Sequence, residues 1–289
     1  MFEYSWFHIA PWGAELSIYF FLVGMAGMAF VLASAPEVFG SPAAMRLKPV
    51  QMPALLVALV LLILCGPLLI LDLGQPGRFL YPILYFHWTS PLSWGSVFLL
   101  MFGACVVIFG FGLVTNRAAL LRPVGIIGSL LGLSMPLYTG LDLMVNTTRD
   151  LWNSPWMPVL FTVLAVTSGT GLVALIAMLR RADDAMPVLR QIMGWSVGVT
   201  LFLFLGLWVM FLYGGEELQQ GWVLLNTEFG TQLWVVTFLI GILVPLVLLV
   251  LPLANQPAVV VLAGLGAMVG AYSFRDMILI AGQMPQLFY

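Results

Sequence analysis

The chain has 289 residues, 62% hydrophobic and only 8% charged, with a formal net charge of −2 and a mean hydropathy of +1.08. A soluble domain carries about 25% charged residues, so this sequence has no polar shell and its solvent is lipid. Lipid leaves only helices or a closed barrel. The long unbroken apolar runs exclude a barrel, and the absence of a basic tract excludes nucleic acid as a partner.

A span needs about 20 apolar residues, and eight segments qualify: 13–35, 53–72, 93–115, 124–145, 156–179, 191–213, 231–252 and 257–281. Proline, glycine and charge punctuate them, as at Ser41-Pro42, Arg180-Arg181 and Asn255-Gln256-Pro257. No N-terminal stretch has the basic, apolar, small-residue order of a cleaved signal peptide, so the first span is expected to be retained. Thr162, Thr167, Ser168 and Thr170 make the fifth span the least clean. Such hydroxyls bond back to their own helix or join helices.

Arg46, Lys48, Arg117, Arg122, Arg180, Arg181 and Arg190 follow spans 1, 3 and 5, accounting for seven of the ten basic residues. Nine of the twelve acids fall at the opposite end. Lys and Arg favour cytoplasmic loops. Both termini and the loops after spans 2, 4 and 6 are therefore expected to face outward, in a prokaryotic cytoplasmic membrane.

Ionisable groups within spans are costly and point to function, and here they gather at the outer end. Glu15 and Tyr19 are four residues apart near the start of span 1, so they share a face. Tyr138 and Asp142 repeat that spacing in span 4, with Arg149 seven residues on and on nearly the same face if the helix continues. Asp72 ends span 2, Arg78 follows it, and Arg275 and Asp276 sit late in span 8. The inner halves are nearly bare of charge, unlike the midplane site of a transporter. This pattern fits a pocket that opens sideways to lipid and takes a quinone head group, with tyrosines and carboxylates exchanging its protons. Asp142–Arg149 and Asp72–Arg78 also fit plain ion pairs that pin helix ends.

Cys65 and Cys105 are the only cysteines and lie in separate apolar runs, so neither an iron–sulfur cluster nor structural zinc is expected. His8 and His87 fall outside the spans, and a membrane haem needs an axial histidine pair, so haem is not expected either. His87 and Trp88 lie in the loop from 73 to 92, which is rich in Gly and Pro and reads as a shaped cap. Both are candidates for partner docking, as is Arg149 for docking or for support of the pocket. Most of the ten tryptophans, Trp152, Trp222 and Trp234 among them, are expected in an interfacial belt.

Four motifs then occur in order: Asp72-Leu-Gly-Gln-Pro-Gly-Arg-Phe79, Thr89-Ser-Pro-Leu-Ser-Trp-Gly95, Tyr138-Thr-Gly140, and Leu151-Trp-Asn-Ser-Pro-Trp-Met-Pro158 followed by Leu160-Phe161. Together they resemble the NrfD/PsrC family, the membrane subunits of polysulfide-reductase-type complexes. The resemblance covers about the first 170 residues and is less sharp beyond 180. It implies an all-α integral membrane subunit of eight helices in two four-helix bundles, here 1–150 and 151–289, without haem or iron–sulfur cluster. Such a subunit exchanges electrons between a quinone, menaquinone or ubiquinone, and a four-cluster ferredoxin-like iron–sulfur protein, itself wired to a catalytic, often molybdopterin, subunit. It also implies a quinone site near the outer surface among the first four spans, which carries over to Tyr138, Tyr19 and Asp72. Some members place a histidine early in span 1. This chain has none there, which leaves Tyr19 or Glu15 in that role or the contact missing. A proton- or ion-translocating subunit, a structural anchor and a cytochrome b-type anchor are the competing readings.

Overall fold

The computed structural model describes residues 12–72, 76–251 and 255–284, without the side chain of Asp72. His8 and the other residues before Trp12 lie outside the described part, as do Leu73, Gly74 and Gln75 of the loop after span 2. Among the described residues there is no strand, and eight helices are long and apolar enough to cross a membrane. They are Ala14–Phe39 (span 1), Gln51–Asp72 (span 2), Pro91–Val114 (span 3), Ala118–Met144 (span 4), Trp156–Leu179 (span 5), Met186–Tyr213 (span 6), Gln232–Val250 (span 7) and Pro257–Ala281 (span 8). The expected number and order of spans hold.

The ends follow local chemistry. Span 1 runs past Pro36 and stops at Gly40, whose φ of 59° takes the left-handed conformation that closes helices. Ser41 then caps the short helix Pro42–Met45 by accepting from the Ala44 N–H at 3.2 Å. Spans 4 and 6 begin earlier than their apolar runs, so Arg122 and Arg190 are helical residues rather than loop ones.

Span 1 is the most buried of the eight. It packs against spans 2, 4 and 5 and touches span 8, while span 5 packs against spans 1, 4, 6 and 8. Apolar side chains such as Leu56, Ile63, Phe202 and Val209 point outward, where lipid receives them. The interior instead holds small residues. Backbones meet at Gly27–Gly132 between spans 1 and 4, at Gly171–Gly264 between spans 5 and 8, and at Gly241–Gly270 between spans 7 and 8. Close backbone approach replaces the hydrophobic drive that lipid removes.

Two features were not foreseen. The connection after span 6 contains a helix, Glu216–Glu228, which buries Gly221 and Leu225. Span 7 opens as a π-helix over Gln232–Leu243, a rare form. Its wider turns hold Gln232 Nε2 on the Ser273 carbonyl and on Asp276 Oδ2, at 3.2 and 3.3 Å, and Thr237 Oγ1 on Ser273 Oγ at 3.0 Å.

The tryptophans depart from a simple belt. Trp152 is buried, stacks on Trp12 at 5.1 Å, and donates to the Ile278 carbonyl at 2.7 Å. Trp222 of the loop helix packs edge to face on Trp234 of span 7. An indole ring with a satisfied N–H is as much core material as interfacial anchor.

Candidate functional site

Tyr19 of span 1 and Tyr138 of span 4 are buried, at 1% and 5% exposure. Asp142, one turn beyond Tyr138, is half-buried. The three lie within electrostatic reach of one another, and Cys65 of span 2 lies within reach of Tyr19. Span 3 contributes a space: a Cβ on Gly95 would fall inside the ring of Tyr138. All four of the first spans therefore shape this cluster. Among the described residues, neither tyrosine hydroxyl nor the Asp142 carboxylate has a hydrogen-bond or ion-pair partner. Two hydroxyls and a carboxylate that bond nothing within the described chain are available to a polar ligand.

The other candidates are placed differently. Glu15 is exposed, and its carboxylate curls back over Gly13 instead of following Tyr19 inward. Asp72 closes span 2, but its side chain is outside the described part. Arg78 is exposed in the short 3-10 turn Pro76–Arg78, its guanidinium 5.6 Å from the ring centre of Tyr81. His87 and Trp88 are exposed on the same cap, Trp88 at 75%. Span 4 does not continue to Arg149. Asn146 Nδ2 takes the carbonyls of Asp142 and Leu143 at 2.7 and 3.3 Å and closes the helix there. Arg149 reaches span 8, donating to the Gly282 carbonyl at 2.9 Å with its guanidinium over Trp152.

The sequence motifs interlock in space. Gly95 of the second motif receives the ring of Tyr138 from the third, and Gly140 of the third lies against the backbone of Pro158 in the fourth. Within the second motif, Ser93 Oγ accepts from the His87 N–H at 3.3 Å and Trp94 Nε1 donates to the Trp88 carbonyl at 3.0 Å, so the cap is tied down. The turn carrying His87 and Trp88 is ordered by these bonds.

Two contributors escaped the sequence reading, and a third was noted there without a role. Cys65 read as packing, and only the fold brings it beside Tyr19. Gly95 was a motif letter whose meaning lies in a partner forty-three residues away. Arg275 is fully buried, donating to the carbonyls of Ala271 and Phe161 at 2.9 and 2.7 Å, with its Nε unpartnered. One guanidinium nitrogen comes close to Gly24 of span 1, and Gly24 packs on Pro136, two residues before Tyr138. Its unusual position inside a span was the one available signal. Among the described residues, no three His, Cys, Asp or Glu side chains gather as a metal-ligand set.

Comparison with known proteins agrees with this picture. The family model described as polysulphide reductase, NrfD, matches residues 5–285. Protein NrfD of Escherichia coli is 26% identical across 98% of this chain and 99% of its own length. A polysulfide reductase polypeptide of Wolinella succinogenes is 24% identical across 96% of each. A candidate dimethyl sulfoxide reductase membrane subunit of Halobacterium salinarum is 26% identical over 81% of this chain, which spans only 57% of that protein's length. Eight apolar helices, a four-span tyrosine–carboxylate cluster and a family match over nearly the whole chain converge: this chain is a multi-pass integral membrane protein of the NrfD polysulphide reductase family.

Proposed function

We propose that this chain is the membrane subunit of a respiratory redox complex, and that it exchanges electrons with a quinone held against Tyr19, Tyr138 and Asp142. The observation that carries this is a pair of buried tyrosines whose hydroxyls bond nothing among the described residues, beside a carboxylate that bonds nothing there either. A bound quinone supplies two-electron, two-proton chemistry at a pair of oxygens. Tyr19 and Tyr138 each present an O–H donor to such an oxygen. Asp142 stands one turn nearer the helix end, where it can take a proton from the head group and release it toward water. Glu15 at the mouth of span 1 and Arg78 on the cap bound the way out, and Asp72 closes the neighbouring span end.

Electrons leave to a partner. Two of the relatives are named as parts of polysulfide and dimethyl sulfoxide reductases, which supports a four-cluster iron–sulfur subunit and a catalytic subunit, often a molybdopterin enzyme, as partners. The cap carrying Arg78, His87 and Trp88 is the proposed docking face, with Arg149 bracing the connection behind it. The acidic end would face outward from a prokaryotic cytoplasmic membrane, and the chain would divide at about residue 150 into a quinone-binding half and a supporting half.

The test compares two activities of the assembled complex in the same membranes: turnover with quinol or quinone, and turnover with a soluble dye that reaches the catalytic subunit directly. Asp142→Asn should cut the first at least about tenfold, since a positioned proton-transfer group contributes about 10²–10⁴, and leave the second unchanged. Normal quinone turnover per assembled complex would make the chain an anchor and remove the proposed site.

A further inference from the structure

A second place on the molecule has the chemistry of a binding site, at the opposite, basic end. Spans 6 and 7 part there to leave a cavity of about 470 Å³, lined by Arg190, Gln191, Gly194 and Trp195 from span 6 and by Leu246 and Leu249 from span 7. Its flank belongs to the lipid-facing surface: Trp195 is 73% exposed, and Phe202 and Val247 beside it point outward too.

Arg190 is fixed in this groove. Its Nε and Nη2 donate to the Leu249 carbonyl at 3.3 and 3.1 Å, and its Nη1 donates to Asn255 Oδ1 at 2.8 Å. The Leu249 carbonyl lies in the last turn of span 7, where helix carbonyls lack partners of their own. Both acceptors are neutral. Among the described residues no carboxylate comes within ion-pairing distance of Arg190, although Asp183 and Asp184 lie only a few residues before it. Three of five N–H donors are used. The full positive charge and two donors remain, on a side chain already held still.

Below the arginine the groove turns apolar. Arg190, Gly194 and Gly198 recur every four residues and so fall along one face of span 6. A Cβ on Gly194 or Gly198 would meet nothing within 4 Å. Arg190 lies four residues from the start of span 6 and Gly194 eight, depths of about 6 and 12 Å at 1.5 Å per residue. The order from the membrane surface is thus a fixed cation, an interfacial tryptophan, and an open apolar slot.

We propose that this groove binds one anionic phospholipid, its phosphate on Arg190 and one acyl tail laid along Gly194 toward Gly198. The match is of charge to charge at the surface and of apolar tail to apolar slot below it, which a free phosphate ion satisfies only in part. Basic pockets between spans suit anionic head groups in this way. The site is separate from the tyrosine–carboxylate cluster and does not depend on the reading of that cluster.

The experiment uses the full-length protein, purified in detergent and stripped of lipid, with binding followed by native mass spectrometry. Phosphatidylglycerol should bind at least about tenfold more tightly than phosphatidylcholine with the same acyl tails, because choline adds a cation that offsets the phosphate charge and repels Arg190. Arg190→Gln should abolish that preference. Gly194→Leu, which fills open space and leaves the arginine untouched, should weaken phosphatidylglycerol binding about tenfold. Millimolar inorganic phosphate should not displace the lipid. Equal binding of the two lipids, wild-type lipid binding by Gly194→Leu, displacement by inorganic phosphate alone, or a quinone found in the groove would each overturn the proposal. Should Arg190→Gln fail to fold, the Gly194→Leu result decides alone.

Discussion

The ring of Tyr138 occupies the space where Gly95 would carry its Cβ, so span 3 touches the tyrosine through bare backbone. A methyl group added there has no room unless the ring moves. Gly95→Ala should therefore displace Tyr138 without changing any polar atom of the cluster. A misplacement of about 1 Å at a reacting group costs about 10² in rate, so quinone-linked turnover should fall at least about tenfold with dye-linked activity intact. Unchanged quinone turnover in Gly95→Ala would separate Tyr138 from the chemistry.

Tyr138→Phe removes one hydroxyl and keeps the ring. If that hydroxyl bonds the head group, its loss should cost about 1 kcal/mol, seen as a several-fold rise in apparent KM for quinone with modest change in kcat. A kcat effect alone, with KM unmoved, would assign the hydroxyl to proton transfer instead of binding.

Trp152 is a structural test. It donates to the Ile278 carbonyl, and Gly282 leaves room for its indole. Trp152→Phe should lower stability by about 1 kcal/mol for one lost hydrogen bond, and Trp152→Ala by about 3–5 kcal/mol. Thermal unfolding in detergent should rank wild type above Phe and Phe above Ala, and equal midpoints would deny the ring its place in the core.

Among the described residues, Arg275 is held by two neutral carbonyls and by the ring of Phe161, with no carboxylate in ion-pairing distance. Replacing a buried ionic group with an apolar one of similar volume is often neutral or stabilising, so Arg275→Met should preserve folding and assembly. Any loss of quinone turnover in that variant then reports on the charge and not on the packing. Failure of Arg275→Met to assemble would show that the bond to the Phe161 carbonyl holds spans 5 and 8 together.

Orientation is tested by single cysteines at two exposed positions, Gln220 on the loop helix and Ala118 at the start of span 4. A membrane-impermeant reagent should label the first in intact cells and the second only after permeabilisation. The reverse pattern would turn the tyrosine–carboxylate cluster to the cytoplasmic side.

The spans were legible because apolar length is a one-dimensional signal, and lipid enforces it along the whole sequence. Tyr19, Tyr138 and Asp142 were legible for a related reason: polar groups inside such runs are costly, so their presence stands out. What escaped detection depends on neighbours far apart in sequence. Cys65 is an ordinary apolar residue until span 2 lies against span 1. The amphipathic loop helix Glu216–Glu228 is too polar to register as a span and reads as a mere connection. Arg149 falls on the face of span 4 only if the helix extends past Asn146, whose side chain ends it. Composition alone sends the tryptophans to the interface, whereas Trp152 is drawn inward by a carbonyl it can reach.

The glycine pairs carry a consequence for how this protein can change over generations. A soluble protein tolerates exchange on its surface and resists it among large core side chains. Here the lipid-facing Leu, Ile, Val and Phe can be swapped for one another at little cost, while the positions that cannot drift carry no side chain at all. Gly27 and Gly132 fix the separation of spans 1 and 4, and Tyr138 rides on span 4 about 9 Å beyond Gly132 at 1.5 Å per residue. A single methyl at Gly27 would tilt the helix that carries the tyrosine. Inherited lesions of this protein should therefore concentrate at its smallest residues, where one span lies against another through bare backbone.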